Sequence, residues 1–275
     1  MSTPRAGPWI PSVRFRSAPA SCRGSRSCDG ARVLMLASQP SRTPRRARRS
    51  VAQRALEVLS RLEAAYGRPR NTDRRSPLDE LILTVLSQNT NDRNRDRAYA
   101  LLRGRYPRWE DVLAATDRAV AGTIRVGGLA NQKAARIRRI LRQIQDERGE
   151  LELEFLRRWP LERAADYLRS FKGVGEKTVN CVLLFSLNKR AFPVDTHIHR
   201  LALRLGFAPE GADAAEAHRL MHDLVPQRDY FPAHMNFIRH GREVCHARNP
   251  ACGHCLLLDR CPAGHENVRA VGEKG

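Results

Sequence analysis

Hydrophobic residues recur at helical spacing along most of the chain from residue 50 onward. Apolar positions three and four residues apart place one side of a helix against a core. Gly and Pro residues interrupt the chain between such segments, and no segment alternates apolar and polar residues as a strand does. The pattern therefore predicts an all-α fold. It is clearest at three places: Val51, Ala55, Leu59 and Leu62; Ile137, Ile140, Leu141 and Ile144; and Ile198, Leu201, Ala202 and Leu205.

The first 49 residues lack this pattern. They are rich in Ser, Pro and Arg and contain few large apolar residues, which predicts disorder. Met35 is an alternative start, in which case residues 1–34 would not belong to the protein, and an acid-poor, Arg-rich leader also resembles an organellar transit peptide. Further along, the longest apolar run, residues 179–187, is too short and too interrupted to cross a membrane. We therefore expect no membrane partner.

Charge narrows the class of partner. The chain of 275 residues has 49 Lys and Arg against 29 Asp and Glu, a formal net charge of +20. A balance this basic favours binding to a polyanion, and nucleic acid is the commonest one. Only five of the cations are lysines. Each Lys is therefore of interest, because an amine can lose its proton and act as a nucleophile whereas a guanidinium cannot.

Residues 164–187 predict a helix, a tight turn and a second helix. Gly173 and Gly175 bracket Val174 in the turn, which lets the backbone adopt left-handed conformations and approach a partner closely. Backbone N–H groups at the start of the second helix would then face a phosphate without reading any base. The alternative is a plain connection between two helices with a glycine cap.

Lys177 is the candidate nucleophile. It lies in the first turn of the second helix, where the helix dipole and neighbouring cations favour the neutral amine. The alternative is an ordinary solvated side chain. Asp195 follows 18 residues later, at the start of the next periodic segment. Its carboxylate is placed to cap that helix, and it could also face the hairpin, where it would orient a water or stabilise positive charge on a sugar.

Four cysteines crowd the C-terminal region in the pattern C-x6-C-x2-C-x5-C. Thiolates grouped in this way are typical of a metal site rather than of a disulfide framework. Four of them suit either a tetrahedral zinc ion or an iron–sulfur cube. Zinc sites more often have two tight C-x-x-C pairs, whereas this motif has one. The four candidate ligands are Cys245, Cys252, Cys255 and Cys261.

The hairpin with its Lys, the Val-Asp-Thr-His segment at 194–197 and the four-cysteine motif have the order and spacing of the endonuclease III family, which the chain resembles from about residue 50 to 262. These proteins are helix-hairpin-helix DNA glycosylases and AP lyases. The resemblance implies a two-lobed fold with DNA bound in the cleft between a six-helix barrel and a helical cluster domain. It divides the chain into an extension (1–49), an N-terminal helix that packs with the cluster domain (50–74), the barrel (75–189), the cluster domain (190–262) with its loop (245–261), and a tail (263–275).

The resemblance also assigns the chemistry. It implies one [4Fe-4S] cluster per chain on the four cysteines, and a monomeric protein whose partner is double-stranded DNA with damaged bases or abasic sites. A damaged pyrimidine would be flipped out of the stack. Lys177 would then attack C1′, release the base and form a Schiff base, and β-elimination would nick the strand. Asp195 matches the family's catalytic aspartate.

Further DNA contacts follow from the same resemblance. Gln88 and Asn89 match the helix junction from which the family inserts a polar side chain into the gap left by the flipped base. Lys133 matches a second turn that contacts the DNA backbone, the alternative being a solvated side chain. In the hairpin, Lys172 stands where the family usually has Pro and adds a cation near the phosphate. The hairpin residues expected to contact DNA are Lys172, Gly173, Val174 and Gly175.

Two alternatives stay open at this point. One is a glycosylase for mismatches or uracil on the same fold, although relatives of that kind usually lack the hairpin Lys. The other is a DNA-binding protein without catalysis. With DNA as the partner, we expect the protein to act in the bacterial cytoplasm at the nucleoid, with organellar targeting by the N-terminal residues as the alternative.

Overall fold

The computed structural model describes residues 45–72 and 74–272. Their backbone forms α-helices joined by turns, and no strand occurs among them, so the predicted all-α class is confirmed. None of the described helices is long and apolar enough to span a membrane. The α-helices are α1 (Arg45–Tyr66), α2 (Pro77–Ser87), α3 (Asp92–Arg105), α4 (Trp109–Ala114), α5 (Asp117–Thr123), α6 (Ala130–Arg148), α7 (Leu161–Ser170), α8 (Glu176–Cys181), α9 (Thr196–Arg204), α10 (Ala214–Leu224), α11 (Tyr230–Glu243) and α12 (Pro262–Gly272).

The first helix starts earlier than the sequence predicts. α1 begins at Arg45, inside the segment predicted to be disordered, and Arg and Ala, which dominate its first turn, are good helix formers. The rest of that segment, with the alternative start at Met35, lies outside the described residues. Short 3₁₀-helical turns complete the backbone at Arg125–Gly127, Glu154–Arg158, Gln227–Asp229, Cys252–His254 and Leu258–Arg260.

Helices α2 to α8 enclose the first of two hydrophobic cores. α2 starts at a well-formed cap, because the Ser76 side chain accepts a hydrogen bond from the backbone N–H of Asp79 and Pro77 occupies the first turn. The periodic apolar residues of α6 are all buried in this core, as their spacing predicts. α7 and α8 form the hairpin, and α8 packs against α2. The first core therefore fixes the position of the hairpin.

Helices α1, α9, α10 and α11 share the second core. Leu62 of α1 is fully buried there. Arg54 Nη2 donates to the carbonyl of Gly206 (3.1 Å), and Arg61 Nη2 donates to Oδ2 of Asp259 (2.9 Å). The N-terminal helix thus packs against residues from the C-terminal part of the chain.

A π-helical segment, Val182–Ser186, continues α8 and lies between the two cores. Val182 and Leu183 pack into the first core, whereas Leu184 packs into the second. Single π-helical turns widen the helix and occur frequently at functional sites. Here the wider turn directs successive apolar side chains to both cores, so the end of α8 is held from two sides.

Candidate active site and cluster-binding loop

A cleft with a volume of about 550 Å³ lies beside the π-helical segment. Side chains from α2, α3, α8, α9 and α11 line it, so both cores contribute to its walls. Four of the residues singled out from the sequence come together in this cleft: Lys177, Asp195, Gln88 and Asn89. The four cysteines lie elsewhere, around a separate small cavity of the C-terminal loop.

Lys177 enters the cleft from the first turn of α8 and is half-buried. The preceding turn depends on Gly173, whose φ of +88° lies in the left-handed region that favours glycine. Gly175 is the N-cap of α8 and has an extended conformation. One helical turn after the lysine, Cys181 also lines the cleft, and burial raises the pKa of its thiol to about 11. The amine therefore has a neutral thiol as its neighbour.

Asp195 is the N-cap of α9. Its Oδ1 accepts hydrogen bonds from the backbone N–H groups of His197 and Ile198, both at 2.9 Å. These bonds satisfy donors that the first turn of a helix leaves without partners. Because the cap uses one carboxylate oxygen, it fixes the side chain at the edge of the cleft and leaves the second oxygen for other partners. The two roles considered for Asp195 are therefore compatible.

The cleft also contains a buried carboxyl group that the sequence did not single out, that of Glu80 on α2. Its exposure is only 7%. Thr84 Oγ1 donates to its Oε1 (3.4 Å), and Arg75 Nη1 lies 3.9 Å from its Oε2. Burial raises the pKa of this carboxyl, while the positive charges of Arg75, Arg95 and Lys177 act in the opposite direction. The signal in the sequence was an acid beside the apolar run of α2.

An ion pair joins the two sides of the cleft. Arg242 Nη1, on α11, lies 2.6 Å from Oδ2 of Asp92 at the start of α3. The other oxygen of Asp92 accepts from Arg95 Nη1 (2.9 Å). All three residues line the cleft. Since α3 packs in the first core and α11 in the second, this contact ties the two walls together.

The junction after α2 has a strained backbone. Gln88 is the extended C-cap of α2, and Asn89 has a φ of +51°, a left-handed conformation that Asn tolerates better than most residues. Arg136 of α6 donates to Oε1 of Gln88. Its guanidinium also fills the space where a Cβ on Gly173 would lie. One arginine therefore connects the junction with the hairpin, and its position requires glycine at residue 173.

The cysteine-rich loop has the donors that iron-bound thiolates need. Arg204 Nη1 donates to Sγ of Cys245 (3.1 Å), and the backbone N–H groups of Leu257 and Gly264 donate to two of the other sulfurs at 3.4 and 3.3 Å. Such hydrogen bonds stabilise negative charge on sulfur and tune a cluster. Among the described residues, no three His, Cys, Asp or Glu side chains converge on the position of a single metal ion. Four cysteine sulfurs with such donors fit the four thiolate ligands of an iron–sulfur cube. The four sulfurs belong to Cys245, Cys252, Cys255 and Cys261.

Comparison with known proteins identifies the fold and the loop. Residues 82–227 match the HhH-GPD superfamily of base excision DNA repair proteins, and residues 245–261 match the iron-sulfur binding domain of endonuclease III. Endonuclease III of Synechocystis sp. is 34% identical over 218 residues, which cover 78% of this chain and 94% of that protein. The chain belongs to the endonuclease III family.

Two other similarities agree with membership of the endonuclease III family. A candidate DNA glycosylase of Arabidopsis thaliana is 42% identical over 174 residues, which is 63% of this chain and 59% of that protein's length. The structure of an endonuclease III trapped as a covalent intermediate with DNA has a TM-score of 0.70 and 27% identity, and covers 79% of this chain and 98% of that one. The chain is thus a DNA-binding enzyme of the DNA glycosylase/AP lyase type with a [4Fe-4S] cluster, as the motifs predicted.

The prediction that Lys133 contacts DNA in this endonuclease III family member is wrong. Lys133 is 2% exposed, and its Nζ donates to the carbonyls of Leu86 (2.7 Å) and Gly127 (2.8 Å). Burial lowers the pKa of its ammonium group. With its charge enclosed in this way, Lys133 offers nothing to a phosphate and is not a solvated side chain either. It instead ties the end of α2 to the turn that precedes α6.

Two histidines hold the segment that leads to the α9 cap. The backbone N–H of Val194 donates to Nε2 of His218 (3.2 Å), so the ring proton is assigned to Nδ1, which faces the carbonyl of Ala214 (3.3 Å). Nδ1 of His234 donates to the carbonyl of Pro193 (2.9 Å). Burial lowers the pKa of both rings, that of His234 to about 4. The segment is therefore held by neutral imidazoles.

Replacing Lys133 by Met should destabilise the protein. The variant leaves the carbonyls of Leu86 and Gly127 buried without a donor, and each such group costs about 1–3 kcal/mol. We expect the free energy of unfolding to fall by about 2–4 kcal/mol, measured by urea denaturation. The exposed Arg139 of the same helix supplies the control, because Arg139→Met should change stability by about 0.5 kcal/mol at most. A Lys133→Met protein as stable as this control would contradict the assignment.

Stability should decrease on the acid side of neutrality. In the unfolded chain a histidine has a pKa of about 6.5, above the folded values of His218 and His234, so below that pH the unfolded state binds more protons. The stabilisation from the neutral rings is therefore complete above about pH 6.5 and is lost as the pH falls towards about 4. The thermal unfolding midpoint, recorded across this range, checks the expectation, and visible absorbance in the same samples shows that the cluster is intact.

Variants of α10 separate this effect from general acid unfolding. Gln in place of His218 keeps an oxygen that accepts from Val194 but does not titrate, so His218→Gln should show a smaller acid-side decrease. His222, on the same helix, is exposed, and its charge lowers the pKa of His218, so His222→Gln should reduce the acid-side decrease by less than His218→Gln does. The assignment fails if His218→Gln loses as much stability on acidification as the wild type does.

Proposed function

We propose that this enzyme removes oxidised or otherwise damaged pyrimidines from double-stranded DNA and nicks the resulting abasic site through a Schiff base on Lys177. One observation carries the proposal. Lys177 and Asp195, from separate segments of the chain, line the same cleft, and the cleft lies between the two cores where a flipped nucleotide could enter. An amine beside a carboxylate is the pair that this chemistry uses.

In the proposed mechanism the damaged nucleotide leaves the base stack and occupies the cleft. The lone pair of Lys177 Nζ attacks C1′, and the electron pair of the glycosidic bond leaves with the base. The carboxylate of Asp195 stabilises positive charge that develops on the sugar. The sugar ring then opens to give a Schiff base between Nζ and C1′, and loss of the C2′ proton expels the 3′ phosphate by β-elimination.

The proposed DNA contacts surround this cleft. Gly173 and Gly175 present backbone N–H groups to a phosphate, and exposed Lys172 adds a positive charge beside them. Val174, the other hairpin residue expected to contact DNA, closes the turn, because its own N–H donates to the carbonyl of Phe171 (3.0 Å). Gln88 and Asn89 fill the gap that the flipped base leaves. When bound, the [4Fe-4S] cluster cross-links the cysteine loop, whose four ligands take no part in the chemistry at C1′.

The remaining assignments belong to the same proposal. The N-terminal helix at 50–74 and the cluster domain at 190–262 form one lobe, and the barrel at 75–189 forms the other. The division is supported by the two cores, since the first continues to Ala191 and the second takes over at Phe192. A monomer is sufficient, because every proposed site residue lies in one chain. With DNA as its substrate, we propose that the enzyme acts at the nucleoid of a bacterial cell.

Lys177→Ala should abolish the covalent chemistry while leaving DNA binding largely intact. With a duplex that contains one abasic site, borohydride should trap wild-type protein on DNA and should trap none of the variant, because only an amine forms a Schiff base. DNA affinity should stay within about 1–2 kcal/mol of the wild type, since one cation contributes little alone. Lys172→Ala is the matched control: it should bind DNA more weakly and still be trapped. Wild-type nicking by Lys177→Ala would refute the proposal.

A panel of duplexes, each with a single lesion, should identify the damaged base that the enzyme releases. We expect release of oxidised pyrimidines with strand nicking, and little activity on uracil or on T·G mismatches. The reason is that the amine of Lys177 suits an enzyme that couples base release to strand nicking through a Schiff base. Release of mismatched thymine or uracil without a trapped adduct would support the other glycosylase class. Tight binding without release of any base would indicate a DNA-binding protein and would contradict the proposed activity.

A further inference from the structure

Glu80 is a buried carboxyl group that the mechanism above does not use. It extends from α2 into the cleft that also contains Lys177, and α2 packs directly against α8. Thr84, one helical turn further along α2, donates to its Oε1 at 3.4 Å, which is a long hydrogen bond. Buried acids are rare unless they are paired, so an acid held this loosely inside a cleft points to a role beyond folding.

The groups that face Glu80 are mostly cations. Arg75 lies 3.9 Å from its Oε2, Arg95 approaches from α3, and Lys177 approaches from α8. The charges of Glu80 and Lys177 also act on the pKa of the Cys181 thiol on α8, in opposite directions. Asp195 and neutral His234 lie across the cleft. The other titratable or charged residues that line it are Asp92, His197, His199 and Arg242. Among the cations that face Glu80, Lys177 alone has a nitrogen that can give up its proton.

We propose that Glu80 accepts the proton that the Lys177 ammonium group must lose before it can attack. The inference rests on the proposed function, in which Lys177 is the nucleophile. An N–H bond of the ammonium breaks, its electron pair stays on Nζ, and the proton forms an O–H bond on the Glu80 carboxyl. At an abasic aldehyde, Nζ then attacks C1′, the C=O electrons move to oxygen, and Glu80 returns the proton to that oxygen. Loss of water completes the Schiff base.

Glu80 is better placed for this step than Asp195. One oxygen of Asp195 already accepts two backbone hydrogen bonds in the α9 cap, so that oxygen is occupied. Within the part of the chain that the structure describes, Glu80 has only a long hydrogen bond and a long ion pair. Its burial raises the pKa of the carboxyl towards the working pH, where a general base is most effective. This division of roles leaves Asp195 to stabilise the sugar.

The test measures trapping rates as a function of pH. Protein in excess over a duplex with a preformed abasic site, which needs no base release, is treated with cyanoborohydride between about pH 5 and 9, because borohydride itself decomposes in acid. The wild-type rate should rise with pH as Glu80 ionises. Glu80→Gln should slow trapping about tenfold or more at neutral pH and should lose the acidic limb of the profile. Glu80→Asp should keep the limb at a reduced rate, because a shorter carboxylate is still a base.

Glu150→Gln is the matched control, because it removes the same charge at an exposed position outside the cleft, and it should reproduce the wild-type profile. Thermal stability and affinity for a duplex with an uncleavable abasic analogue show whether each variant is folded. If Glu80→Gln does not fold, the profile of Glu80→Asp decides, and a wild-type rate at every pH would overturn the inference.

Two further outcomes count against the inference in different ways. A merely electrostatic partner would make Glu80→Gln faster on the acid side, because removing the carboxylate would favour the neutral amine. Wild-type or faster trapping by Glu80→Gln therefore overturns the role of Glu80 and leaves the role of Lys177 intact. Absence of any adduct with the wild type would overturn the proposed function itself, and this inference with it.

Discussion

The cleft depends on the way in which one short helix is anchored to two hydrophobic cores. α8 packs on α2 in the first core, and its π-helical continuation sends Leu184 into the second. Neither core could alone hold a half-buried lysine, because a charged amine at the surface of a single core would turn to solvent. Fixed from both sides, Lys177 stays at the boundary between the cores, where the other polar groups of the cleft surround it.

Several polar groups meet at that boundary, and each has a different structural role. Asp195 caps α9 and still lines the cleft, and two neutral histidines hold the backbone in front of it. The Asp92–Arg242 ion pair connects the walls without entering either core. The site is therefore an assembly of helix ends, and helix ends are where a helical protein has unsatisfied backbone groups to offer.

The sequence predicted the elements whose structure depends on neighbouring residues. Apolar spacing predicted the buried face of α6, and the glycines predicted a turn that Gly173 builds with a positive φ. The same reasoning missed Glu80 and Arg136, since nothing in the neighbouring residues shows that α2 and α6 meet the hairpin. Lys133 was misread for a related reason, because its partners are two backbone carbonyls, and a sequence carries no trace of where a carbonyl points.

The geometry around two of the lysines also explains why Arg cannot replace them in this arginine-rich chain. Lys133 and Lys189 each place a single nitrogen between two carbonyl oxygens, those of Leu86 and Gly127 in one case and of Arg157 and Trp159 in the other. A guanidinium is planar and spreads its donors over three nitrogens, so it does not fit a point between two acceptors. A form of the protein with Arg in place of every Lys would keep its net charge. It would lose the contacts that Lys133 and Lys189 make with backbone carbonyls, and it would lose the amine of Lys177.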